Sequence, residues 1–357
     1  VGGRLLTVDV AKVEHNARTI VELCAAHGIA VTGVTKGLAG EPAVATAMLR
    51  AGVESIGESR LENIRRLRDG GIRAPVLLLR MPSLSHVAAA VELADVSCNA
   101  EPRVIAGLGA AAGRRGRSHG VIVMVDLGDL REGVWPDRLV DVVREVRSTP
   151  GVRLAGIGAN LACFGGVVPT PANMATLVGL VGQVEDELGM RVERISAGNS
   201  SALGLVAAGQ MPSRVDHLRI GEAILLGRET IHREPWPGTF QDAVVLHGEV
   251  LELSRKPSAP SGERGQDAMG RVPEFVDRGW VDHALVNLGV VDTDVGGLTP
   301  LDARLRVLGG SSDYLVLDAT EAHGDLAVGD RVAFVPGYGA MARAAASPYV
   351  EVRTKGV

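Results

Sequence analysis

Cysteine is scarce in this chain of 357 residues, which has neither long apolar runs nor a strong excess of either charge. Its three cysteines, Cys24, Cys98 and Cys163, fall singly within apolar patterns, with no CxxC pair among them. That spacing speaks against a disulfide framework or a metal site, and the three are expected to be reduced core thiols of a cytoplasmic protein. No apolar run approaches the roughly 20 residues that span a bilayer. The opening "VGGRLLTVDV" carries neither a basic n-region nor an h-region, so no membrane partner is expected. The 37 basic and 42 acidic residues nearly cancel, leaving a net charge of −5. The cluster "GRRGR" (Gly113–Arg117) stands alone between a helix-like and a strand-like segment. It reads as a solvated loop, and no nucleic-acid partner is expected. The first strand-to-helix turn also lacks GxGxxG, the fingerprint of a dinucleotide-binding open sheet.

What is present is a core-forming 46% of hydrophobic residues in a regular alternation. Short β-rich runs are expected as strands at Val31–Thr35, Ser55–Gly57, Val76–Leu79 and Asp95–Cys98. Four more follow at Val121–Val125, Gly156–Asn160, Arg194–Ala197 and His217–Arg219. Segments such as "EPAVATAMLRAG" and "DRLVDVVREVRS" separate them with apolar residues at three- and four-residue spacing, a helical period. Eight such units predict an α/β fold, a (β/α)8 TIM-type barrel, with a doubly wound open sheet as the alternative. After "GTFQDAVVLHG" helical periodicity nearly vanishes, and "VVLHGEVLEL", "HALVNLGVV", "DYLVLDA" and "RVAFVPG" read as strands between turns. The expected domains are therefore a barrel over 1–235 and a mostly β C-terminal domain over 236–357, the boundary lying near Pro235–Gly238. Residues about 1–8 are a candidate to pack with the second. The segment "RKPSAPSGERGQDAMGRVP" is a long loop, and such loops are usually functional or mobile.

In a barrel of this kind the active site lies at the C-terminal ends of the strands. There the sequence places Lys36, Asp126 with Arg131 just beyond it, Asn160, the turn "SAGNSS" holding Asn199 and Ser200, and Arg219 running into "RIGEAILLG" with Gly221 and Glu222. The last two turns combine glycine with small donors ahead of an expected helix start, a phosphate cradle in chemical terms, although such turns also serve as plain helix caps. A lysine amine in a partly desolvated site loses proton affinity and can form a Schiff base with an aldehyde. Lys36 opposite a phosphate site therefore points to pyridoxal 5'-phosphate; the alternative is a surface lysine in a βα loop.

These residues resemble the alanine racemase superfamily, fold type III pyridoxal-phosphate enzymes. "VDVAKVEHNAR" is similar to its first helix, "VTKG" to its cofactor lysine, and "RIGEAILLG" to its phosphate turn. "GESRLENIRRL", "ANLACFGGVVPT", "GNSSAL", "KPSAPSGERGQDAMG", "LGGSSDYLVLD" and "SPYV" resemble the ornithine racemase branch in particular. The resemblance implies a cytoplasmic homodimer that interconverts the L and D forms of a small-molecule substrate, ornithine or a related basic or polar amino acid. Lys36 would carry the cofactor and act as one proton-transfer base, and Arg219 would face the pyridine nitrogen. Arg131 would lie near the phenolic oxygen, Asn160 against the ring, and Asn199, Ser200, Gly221 and Glu222 at the phosphate. Three departures stand out: Val290 where a catalytic tyrosine is usual, Gly40 near a second missing tyrosine, and Met124 in place of a lysine. They leave the second base open. Asp267 and Cys163 are the leading candidates for the base or a substrate contact, ahead of Tyr338 and His283. A lyase, decarboxylase or cyclase needing a single base is the alternative reaction, and a cofactor-binding protein without chemistry the third reading.

Overall fold

Runs such as "HGVIVM" are apolar on both faces, the pattern of a parallel strand covered on both sides. The computed structural model, described over residues 3–267 and 269–356, closes eight of them into a barrel. The first strand of the chain, β1 (Leu5–Asp9), lies outside it, and α1 (Val10–Ala25) leads in. The barrel then runs β2 (Ala30–Val34), α2 (Pro42–Arg50), β3 (Ser55–Glu58), α3 (Leu61–Asp69), β4 (Val76–Leu78), α4 (Val87–Leu93), β5 (Val96–Asn99) and α5 (Pro102–Arg114). It continues through β6 (His119–Met124), α6 (Leu139–Ser148), β7 (Val152–Ala159), α7 (Pro171–Leu188), β8 (Ile195–Ala197), α8 (Leu203–Ala207), β9 (His217–Ile220) and α9 (Glu222–Leu226). The expected (β/α)8 barrel is thus observed, each strand within a few residues of its expected place, and the open sheet is excluded by the β2–β9 pairing.

Helices α2, α5 and α7 start where a side chain satisfies a free N–H group. Glu41 caps α2 and Glu101 caps α5, each followed by proline at the first helical position. Thr170 and Asn173 form a reciprocal capping box on α7, which Gly189 ends in the left-handed conformation at φ 57°. Each helix turns its apolar face inward. Leu139, Val140, Val142, Val143 and Val146 of α6 are all buried, each contributing about 1.5–3 kcal/mol when fully sequestered.

The barrel unit spans residues 10–240; residues up to Asp9 and from Gln241 onward form the other compact unit. The division falls beyond the Pro235–Gly238 turn because the backbone of Phe240 is tied to α1. Asn16 Oδ1 accepts from Phe240 N at 2.7 Å and Asn16 Nδ2 donates to Phe240 O at 2.8 Å. The second unit is a mostly antiparallel sheet. Its strands are β10 (Val244–Pro257), β11 (Trp280–Val286), β12 (Leu298–Pro300), β13 (Arg306–Gly310), β14 (Leu315–Asp318), β15 (Arg331–Pro336) and, after α10 (Tyr338–Ala346), β16 (Glu351–Lys355). The order is β12-β15-β10-β11-β14-β13, with β1 paired antiparallel to β10 and parallel to β16. Among the described residues no helix is long and apolar enough to cross a membrane.

Candidate active site

Lys36 opens a single 3-10 turn directly after β2. Thr35 anchors that turn, its N–H bonded to Gly57 O at 3.0 Å and its hydroxyl donating to Glu58 Oε2 at 3.2 Å. The Lys36 side chain is open to solvent yet recessed in the barrel mouth. Loss of bulk water lowers the pKa of its amine; Cys163, Glu58 and Glu132 oppose that shift, and Arg131 adds to it. Glu58, fully buried, has its pKa raised by burial against donors from Ser59, Asn63 and Thr35.

The register of β2 on β9 pairs Gly33 with Ile220, so Lys36 emerges beside the Gly221–Glu222 turn. Arg219 lies on β9, 5% exposed. Its guanidinium donates to Ser196 O at 2.9 Å, to Ser196 Oγ, and to Ala159 O at 2.8 Å. These acceptors are all neutral, and burial lowers its pKa. The two glycine turns join into one cradle, since Ala223 N donates to Ser200 Oγ at 3.2 Å. Gly198 holds φ +103°, a conformation that disfavours other residues. A Cβ at Gly221 would crowd Val34 at 3.1 Å. Ser201 Oγ is buried and, among the described residues, without a partner.

Asn199 acts as a brace: its Nδ2 donates to Asn160 Oδ1 at 3.0 Å and Leu161 O at 2.9 Å, while its Oδ1 accepts from Ser201 N at 2.8 Å. The Glu222 carboxylate is paired with Arg233, and burial raises its pKa. Arg131 forms a 2.6 Å ion pair with Glu132, whose own pKa is raised by burial against Arg131, Arg219 and Lys36. Asp126 shapes the loop that carries this pair, accepting from Gly128 N at 2.8 Å and Leu130 N at 3.2 Å.

Cys163 corrects the expectation of a core thiol. It is exposed, while Cys24 and Cys98 are buried. The cause is Asp129, whose buried carboxylate accepts from the backbone N–H groups of Cys163, Phe164 and Val167 and so wraps this loop around itself with the side chains outward. Cys163 thereby comes within electrostatic reach of Lys36. Asp267 belongs to the other unit. Its Oδ1 accepts from Met269 N and Arg271 N, both at 2.8 Å, and the Arg271 N–H is the main cause of its lowered pKa. Tyr338, His283 and Val290 also belong to that unit, and Met124 is buried inside the barrel among Leu77, Cys98 and Ile122.

Sequence reasoning passed over Glu58, Glu132, Asp129 and Ser201. The first ends a strand, the next two lie in the turn between Asp126 and Gly133 that also carries Arg131, and the last follows Ser200, so position alone could have raised each. Nothing in the linear pattern flags Ser196 and His217, which were legible only as strand residues.

A closed barrel whose recessed lysine, buried arginine and hydroxyl-bearing turns all stand at the strand C-termini has the layout of a barrel enzyme. The family model for the alanine racemase N-terminal domain matches residues 8–229. The chain is 38% identical to a lysine racemase of Thermotoga maritima, covering 97% of both chains. It is 35% identical to an ornithine racemase of Acetoanaerobium sticklandii over 97% of this chain and 98% of that one. The chain belongs to the alanine racemase family. Among solved structures, alanine racemase from Streptomyces lavendulae superposes with a TM-score of 0.75 at 20% identity, covering 100% of this chain and 98% of that one. D-threonine aldolase from Filomicrobium marinum does so at 0.73 and 18% identity, covering 97% and 91%. At such identities these two establish the fold alone, and a fold shared by a racemase and an aldolase does not choose the reaction.

Proposed function

We propose that the protein is a pyridoxal-phosphate-dependent amino-acid racemase acting on ornithine, lysine or a related basic amino acid. The observation that carries this reading is the pairing, in one mouth, of a recessed lysine with a buried arginine that has only neutral acceptors. Relatives named lysine racemase and ornithine racemase, matched over nearly the whole chain, support the substrate class. They also favour racemisation over a single-base lyase, decarboxylase or cyclase.

The residues fit the cofactor. Ser201 Oγ is a buried hydroxyl lacking a partner among the described residues, in the same cradle as Ser200 and Gly221, and it suits a phosphate oxygen. Arg219, whose mapped bonds leave donor capacity, suits an unprotonated ring nitrogen. Arg131 suits the phenolic oxygen, and Asn160, braced by Asn199, the ring edge. Glu222, turned to Arg233, would keep its charge off the phosphate. When bound, pyridoxal phosphate supplies an aldehyde that condenses with amines and a ring that draws electron density from the substrate α-carbon.

Lys36, its proton affinity lowered by desolvation, accepts the α-proton on one face and returns it there. Racemisation needs a second donor on the opposite face. Cys163, exposed in the same mouth, is the group we assign to it. Asp267, its carboxylate held ionised within its own loop, suits pairing with the substrate's distal ammonium better than proton abstraction. A homodimer belongs to the same reading. Leu130 and Phe164 at the barrel mouth are 66% and 74% exposed, and Val272 and Val276 in the other unit 65% and 70%. Such apolar side chains suit burial by a second copy. Three free thiols suit a reducing, cytoplasmic setting.

The test is interconversion of purified L- and D-ornithine and lysine, followed by chiral chromatography. Borohydride reduction should fix pyridoxal phosphate to Lys36, located by mass spectrometry. Absence of α-proton exchange with any basic amino acid, or a reduced adduct on another lysine, refutes the reading.

A further inference from the structure

A chain of neutral side chains runs from Arg219 toward the N-terminal end of the barrel, and the function proposed above does not use it. Ser196 on β8 and His217 on β9 are register partners. Arg219 follows His217 by two residues and so shares its side of the strand. A guanidinium has donors only, so Ser196 Oγ accepts from Arg219 Nη1. The proton of Ser196 is then directed to His217 Nδ1, 2.7 Å away. With Nδ1 an acceptor, the neutral ring carries its hydrogen on Nε2 and donates to Thr32 Oγ1 at 2.7 Å. Thr32 in turn donates to Ser55 Oγ at 2.7 Å. Ser55 borders a cavity of about 90 Å³ at the N-terminal ends of the strands, which Thr32, Glu54, Arg194 and His217 also line.

The direction of every link follows from the one group that cannot accept. The opposite tautomer would aim two donors at Ser196 Oγ and, among the described residues, leave the serine proton without an acceptor. An imidazolium would do the same. Thr32, Ser196 and His217 are at most 1% exposed, so an unmade bond there is not repaired by bulk water. Burial, then Arg194 and Arg219, hold the His217 pKa well below its usual value, consistent with a ring that stays neutral. A serine hydroxyl is otherwise a free rotor. Its bond to His217 turns the Ser196 lone pairs toward Arg219, and with Ala159 O this fixes a guanidinium that no carboxylate of the described residues holds.

We propose that His217, as the neutral Nε2–H tautomer, is a positioning residue that orients the Arg219 guanidinium through Ser196 for contact with a ring nitrogen in the barrel mouth. The inference rests on the reading of Arg219 given under Proposed function. Two measurements on the full chain test it. In the ¹⁵N-labelled, cofactor-free protein, long-range proton–nitrogen spectra should show His217 as an Nε2–H ring that does not titrate between about pH 5.5 and 8, where an ordinary histidine would. An Nδ1–H ring or an imidazolium overturns the proposal.

The second measurement titrates the protein with pyridoxal phosphate. His217→Asn keeps an acceptor at the position of Nδ1, whereas His217→Leu keeps the bulk and removes the acceptor. Leu should weaken cofactor affinity about tenfold or more, the scale of a lost bond to a charged group, and Asn should stay within about threefold. A purely structural histidine predicts the reverse order, because asparagine leaves the larger void. Should the Leu variant not fold, Ser196→Ala removes the same acceptor chain and carries the same tenfold expectation. Equal affinity of the wild type with either acceptor-less variant, or Asn no better than Leu, refutes the proposal. If the unaltered protein takes up no pyridoxal phosphate, the functional reading fails, while the tautomer spectrum still decides the relay.

Discussion

Replacing Asp129 by asparagine should loosen the loop that follows β7 while leaving the barrel intact. The carboxylate is 1% exposed and receives N–H bonds from Phe164 at 2.8 Å, Val167 at 3.1 Å and Cys163 at 3.2 Å. Bonds to a charged acceptor are each worth about 1.5–3 kcal/mol and are not additive within one site. Asparagine keeps one carbonyl oxygen and turns its NH₂ toward a backbone donor, so roughly half of the set is lost. The expected cost is about 2–4 kcal/mol, or about thirty- to a thousandfold in the local opening equilibrium. Amide hydrogen exchange at Cys163, Phe164 and Val167 reads it directly. The acid dependence gives a second check. Burial alone would raise the Asp129 pKa, but the N–H groups of Phe164, Val167, Cys163 and Gly165 outweigh it and hold the group below its ordinary value. A depressed carboxyl stabilises the loop fully above its unfolded pKa of about 3.9 and loses that contribution as pH falls through the folded value. Protection in the wild type should therefore be flat near neutrality and fall in acid, whereas the asparagine variant should lack that acid limb. Equal protection in both proteins at neutral pH, or an identical acid limb, would refute this account of the loop.

Three further outcomes are expected. Alkylation of the native protein should label Cys163 alone, because burial pushes the Cys24 thiol up to about 12 and the Cys98 thiol up to about 11; peptide mass mapping that finds Cys24 or Cys98 labelled at the same rate contradicts this. Gly133→Ala should cost about 2–3 kcal/mol and weaken pyridoxal phosphate binding, because at φ +137° its Cβ would stand 2.5 Å from the Asp126 nitrogen and displace the Arg131–Glu132 pair; a melting curve and a cofactor titration check both effects. Arg68→Met should cost about 2–3 kcal/mol in denaturant unfolding with unchanged turnover, since the guanidinium ties together Ile72 O, Ala74 O, Leu93 O and Asp95 far from the mouth.

The barrel was legible in the sequence, because a strand covered on both faces is mostly apolar and its covering helix carries a 3.6-residue stripe. Both patterns survive in one dimension. The sequence also determined which residues stand at the mouth, since a strand's end places its next side chain at the rim whatever the neighbouring strands do. Lys36, Asn160 and Arg219 were legible for that reason. That residues about 1–8 pack with the second unit was legible as well, but their partners β10 and β16 were not, because strand pairing between residues more than 230 positions apart leaves no local periodicity. Nor was the exposure of Cys163. Its flanking residues read as apolar packing, and only the distant Asp129 carboxylate, drawing three backbone N–H groups to itself, turns the loop inside out. The tertiary structure alone decided the Arg219–Ser196–His217–Thr32–Ser55 chain. A hydrogen bond acquires direction from partners on four different strands, and only closure of the barrel brings β9 against both β8 and β2.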